Sequence, residues 1–116
     1  MGTFALVGRV AEATRSERMT AVNFHNQAAS EIKEIYHWYA SRDAKAALVL
    51  NDAIEEATQR IANDPLSHEV ETKGFHWVRV RKFPYRLIYE IVDERRVLIL
   101  AVAHTSRKPR YWKDRN

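Results

Sequence analysis

"WVRVRKFPYRLIYEIVDERRVLILAVAH", residues 77–104, decides the fold class of this 116-residue chain. In "WVRVR" (77–81), Val78 and Val80 face one way, while Trp77, Arg79 and Arg81 face the other. "KFP" (82–84) turns the chain into "YRLIYEI" (85–91). There Leu87, Tyr89 and Ile91 share one face; Arg86, Ile88 and Glu90 share the opposite one. "DERR" (93–96) turns again into "VLILAVA" (97–103), apolar on both faces as in a central strand. Period-two segments joined by short polar turns predict a three-strand antiparallel meander.

Upstream the period lengthens. Ala28, Ile32, Ile35 and Tyr39 recur at i, i+4, i+7 and i+11, a single apolar stripe on a helix, with Asn26 as the expected N-cap. "SRD" (41–43) breaks the stripe, and Asp43 is placed to cap a second helix carrying Leu50, Ile54, Ala57 and Ile61. Pro65 in "NDP" (63–65) stops it. So short a break between helices predicts an antiparallel helical hairpin. "TAVNF" (20–24) reads as a short strand before it, and "SHEVETKG" (67–74) as a polar connection after it. The expected fold is α+β, in the order N-terminal strand, helical hairpin, three-strand meander, with the helices on one sheet face. Residues 1–18 read as an extension of uncertain status, and 19–116 as one domain.

Apolar residues make up 46% of the chain and charged residues 29%, enough for one compact core. No cysteine is present, which excludes disulfides, thiolate zinc sites and cysteine nucleophiles and suits a reducing, cytoplasmic setting. No apolar run approaches the roughly 20 residues of a membrane span. "MGTFALVGRV" lacks the cationic start of a secretory signal, so none is expected. The charge is unevenly spread. Residues 1–72 carry 7 Lys/Arg against 11 Asp/Glu, while residues 73–116 carry 12 against 4. A basic half suits a phosphate-rich or acidic partner.

The candidate chemistry lies in that half. Arg79, Arg81 and Arg86 would share one sheet surface with Trp77, offering guanidinium forks beside a ring that stacks bases. Alternating arginines also suit any solvated sheet face. His104 ends the apolar strand, where imidazole can shuttle protons near neutrality or simply bond a neighbouring carbonyl. Arg107, Lys108, Arg110, Tyr111 and Trp112 follow at once in "AHTSRKPRYW" (103–112). Histidines 25, 37, 68 and 76 have no ligand spacing, so neither a metal nor a cofactor is expected. Phosphate-cradling glycine loops and a serine nucleophile elbow are missing as well.

The order of two helices ending at "NDP", then "VRVRKFPYRLIYEI", then "VLILAVAHTSRKPRYW", resembles the RelE/ParE superfamily of type II toxin–antitoxin toxins. The resemblance runs from Met19 to Arg115. It implies a growth-arresting toxin held inactive by a cognate antitoxin in a hetero-oligomer, without a membrane step. Two branches stay open. RelE-like members cut messenger RNA on the ribosome without metal. ParE-like members are non-nucleolytic and inhibit DNA gyrase. On the RelE-like branch, Arg86 and Arg107 would hold the scissile phosphate and Arg79 and Arg81 the flanking backbone. His104 or Tyr111 would move the proton, and Trp77 or Trp112 would stack a base. On the ParE-like branch, Lys108 and Arg110 and the rest of the basic tail join the sheet as a protein-binding surface; His104 after an apolar strand is more reminiscent of this branch. A plain basic nucleic-acid-binding domain is the third reading. The active-surface readings expect the arginines, His104 and the tail to converge on one cavity outside the sheet.

Overall fold

The computed structural model describes residues 20–72, 74–106 and 111–115. The extension expected at 1–18 lies outside them. Strand β1 (Ala21–Phe24) leads into helices α1 (Asn26–Ala40) and α2 (Ala44–Asn63). Strands β2 (Glu69–Thr72), β3 (Phe75–Val80), β4 (Tyr85–Asp93) and β5 (Arg96–His104) follow. They form one sheet in the order β1-β5-β4-β3-β2, antiparallel except where β1 runs parallel to β5. The α+β architecture and the meander stand as expected.

The hairpin follows from its caps and its stripe. Asp43 Oδ1 accepts the N–H groups of Lys45 and Ala46 at 3.0 and 3.3 Å, filling donors that the first turn of α2 leaves open. The α1 cap is His25 rather than Asn26: its Nδ1 accepts from the Gln27 N–H at 3.1 Å. His25 still donates its backbone N–H to Ile99 O, so its extended backbone belongs to the sheet and the helix starts one residue later. Leu50, Ile54, Ala57 and Ile61 are all buried, as the stripe requires. Tyr89 ties the end of the hairpin down, its buried phenol donating to the Pro65 carbonyl.

Two differences from the expected layout matter. The "polar connection" contains the edge strand β2, whose only apolar residue, Val70, is exposed. Backbone pairing with β3 holds it, not burial, so period-two patterning has nothing to register. The second difference is that both sheet faces are covered. One face joins the hairpin through Val78, Val80, Leu87, Tyr89, Val97 and Ile99. The other forms a smaller cluster of Ile88, Leu100, Ala101, Ala103 and Trp112. Hence "VLILAVA" is apolar throughout: β5 lies between β1 and β4 and buries both faces. A bulge lies between Ile88 and Tyr89 in the β4–β5 register, where Ile88 pairs with Ala101 and Tyr89 with Ile99. Leu100 is the extra residue, so Leu100 and Ala101 join the same cluster.

The turns are locally specified. Asp93 accepts from the Arg95 N–H and the Arg96 guanidinium, both at 2.8 Å; these bonds, Arg96's foremost, hold its carboxyl below the usual range. Lys82 takes a left-handed φ of 74°, unusual for a lysine, and this lets Phe83 fold back beneath Tyr39.

Candidate functional site

The register sorts the expected site residues onto faces. Arg79 pairs with Arg86, so both leave the same face of the sheet, together with Trp77. The Arg86 guanidinium lies 4.2 Å from the centre of the Trp77 ring. This is the diagonal contact expected of neighbouring strands. Directly opposed like charges repel, and the Arg79–Arg86 pair concentrates positive charge on this face. It is suited to attracting an anionic surface.

Arg81 does not join them. Its guanidinium reaches Glu56 Oε2 on α2 at 3.0 Å, beside Arg60 on the same oxygen at 2.8 Å. The strand has ended at Val80, and the turn carries Arg81 toward the helices.

His104 pairs with Tyr85, and Tyr85 is the residue next to Arg86. Alternation therefore sends His104 and Arg86 to opposite faces. Arg86 and His104 do not converge on the one cavity that the active-surface readings expected. His104 stands exposed on the helix side, edge-on to the Tyr85 ring at 5.3 Å. Its Nδ1 lies 3.0 Å from the Ser106 N–H and accepts it, which leaves the proton of the neutral ring on Nε2. It borders a groove of about 370 Å³ lined by Glu34, Ile35, Trp38, Tyr39, Pro84 and Tyr85. Burial, then the neighbouring Tyr39, pushes the Tyr85 phenol up, so it stays protonated and serves no base chemistry near neutrality.

The tail residues split too. Arg107, Lys108 and Arg110 fall outside the described residues. Tyr111 donates its hydroxyl to Glu31 Oε2 at 2.9 Å. Trp112, expected as a base-stacking surface, is 1% exposed and packs edge-on against Phe75. It covers the sheet and presents no open ring.

Glu31 was not singled out by the sequence, yet four groups meet on it: Tyr111, both terminal nitrogens of Arg115, and the Val102 N–H. The available signal was its position. Glu31 stands at i+3 from Ala28 and four before Ile35, a carboxylate on the border of the apolar stripe.

The family model for the ParE toxin of type II toxin–antitoxin system, parDE, matches residues 22–109. The chain belongs to the ParE toxin family. A solved structure titled "Chromosomal ParDE TA system from P. aeruginosa" has the same fold. Its TM-score is 0.58 at 17% identity, over 75% of this chain and 97% of that one. Among curated proteins, no match is found. As a ParE-family member, the chain is the toxin half of a toxin–antitoxin pair, and the non-toxic reading is set aside. No described helix is long and apolar enough to cross a membrane.

Proposed function

We propose that this ParE-family toxin arrests growth in the cytoplasm by binding DNA gyrase as a protein ligand, not by cutting RNA. The observation that carries the reading is the split between Arg86 and His104. Metal-free RNA cleavage needs phosphate stabilisation and proton transfer at one reacting centre. Here the best phosphate-binding arginine and the best proton carrier lie on opposite sides of a sheet, and Tyr111 is engaged by Glu31. A binding surface has no such requirement. The face bearing Trp77, Arg79 and Arg86 would dock on an acidic part of the enzyme, with the positive charge of Arg107, Lys108 and Arg110 in the tail adding to the attraction.

The antitoxin is assigned to the other side. Trp38, Leu48 and Val49 are exposed apolar residues on the hairpin, and Trp38 also borders the His104 groove. A partner segment that folds on binding would cover them, and toxin and antitoxin would co-purify as a hetero-oligomer.

Purified toxin added in excess to gyrase should block supercoiling, while translating ribosomes yield no cut transcripts. Substitutions on the Trp77–Arg86 face should weaken inhibition in steps of about 1–3 kcal/mol, with none absolute. Unimpaired gyrase alongside cleaved messenger RNA overturns the reading and restores the nuclease branch.

A further inference from the structure

Strand β1 stops at Phe24, opposite Ile99, so among the described residues the remaining edge of β5 has no strand beside it. Two backbone groups there, the Leu100 carbonyl and the Val102 N–H, are the pair that one residue of a parallel neighbour would bond. Side chains bond them instead. Arg115 donates to Leu100 O at 2.9 Å, and Glu31 Oε1 accepts from Val102 N–H at 2.9 Å. Arg115 and Glu31 are joined to each other at 3.0 and 3.1 Å. The ion pair thus bonds these two groups as one residue of a parallel strand would.

Glu31 and Arg115 are only 12% and 13% exposed. Charges so far from water are tolerated when geometry is good and the remaining hydrogen-bonding positions are filled. Here they are: Tyr111 completes the second carboxylate oxygen, and the Arg115 guanidinium lies 5.0 Å from the Tyr111 ring centre. The contacts connect residue 31 of a helix to residues 111 and 115 at the other end of the chain. Between the two anchors of the arm sits Trp112, buried over Ala101 and Ala103.

We infer that Glu31 is a positioning residue: it latches the C-terminal arm, 111–115, onto the second sheet face and so fixes the surface through which the toxin engages its target. The inference rests on the reading that this face is the target-binding one. The latch itself can be measured without any target.

The chain has no cysteine, so Ala101→Cys places a single thiol in the wild-type protein beneath the arm, at a site that is fully buried. With the latch closed, this thiol should react slowly with a disulfide reagent. Adding Glu31→Gln strands the Arg115 charge and should speed the reaction at least about tenfold; Arg115→Met, which leaves Glu31 two of its donors, should speed it less. Gyrase inhibition by the same substitutions, in the chain without the thiol, should need about tenfold more toxin, a loss of one factor in affinity. Antitoxin affinity, placed on the hairpin, should be unchanged. General unfolding would lower both together, and that result overturns the inference. So does a thiol equally protected in both variants, or an arm released with inhibition intact. Should Glu31→Gln not fold, Arg115→Met decides by the same measurements. If the parent chain leaves gyrase unimpaired, the gyrase reading alone fails; growth arrest on induction then replaces supercoiling in the comparison.

Discussion

The two faces of the sheet are covered in different ways. A hairpin of two long helices roofs one face, with its own caps and an apolar stripe on each helix. Across the sheet, the described roof is Tyr111 and Trp112, in an arm held by the Glu31 carboxylate. The first roof is built from apolar area, which is non-directional and spread over many side chains. The second depends on hydrogen-bond geometry at a single point. Stability therefore concentrates on the helix face, and adjustable surface on the arm face.

Consecutive residues of β4 test that difference most strongly. Leu87 faces the hairpin and Ile88 the arm, and both are buried. Truncation to alanine should cost about 2–5 kcal/mol at either position. Leu87→Ala should fall at the upper end, because the hairpin cannot collapse into the cavity. Ile88→Ala should fall at the lower end, because the arm can settle. Urea unfolding of the two variants gives the comparison. Equal costs would show that the arm is as rigid as the hairpin.

Tyr89 sharpens the same contrast at smaller magnitude. Its phenol donates to the Pro65 carbonyl, so Tyr89→Phe should lose about 1–2 kcal/mol. Burial, then nearby Asp64, raises its pKa above the ordinary 10.0. Above that value the unfolded phenol releases its proton while the folded one keeps it, so stability falls as pH rises. Unfolding midpoints between pH 8 and 11 should therefore decline above about pH 10, less steeply in Tyr89→Phe. An unchanged alkaline slope would mean that Tyr89 ionises freely in the folded protein.

What the sequence made legible follows the same division. The hairpin stripe, the Asp43 cap and the alternation in β3 and β4 are local, repeat with a fixed period, and appear in the structure as read. The edge strand β2 was hidden because its stability comes from a neighbour's backbone. The arm was hidden for a different reason. Trp112 and Tyr111 in a basic tail have the composition of an exposed surface, and contacts distant in sequence, such as that of Tyr111 with Glu31 80 residues away, turn them inward. The faces of Arg86 and His104 depended on register. The bulge at Leu100 reverses the alternation along β5, and no composition rule places such an extra residue.

The separation of Arg86 from His104 leads to the smallest predicted effect and the most discriminating one. If the two lie on separate surfaces, Arg86→Ala should weaken target inhibition and His104→Ala should leave it nearly unchanged. The double variant should equal the sum of the singles to within about 0.5 kcal/mol. A shared reacting centre behaves otherwise: once one member is lost, removing the other costs little more. Inhibition curves for the parent, both singles and the double close the cycle. A coupling well above that limit would place both side chains at one centre, which requires the sheet edge to rearrange on meeting its target. Additivity leaves the arginine face and the histidine groove as separate surfaces.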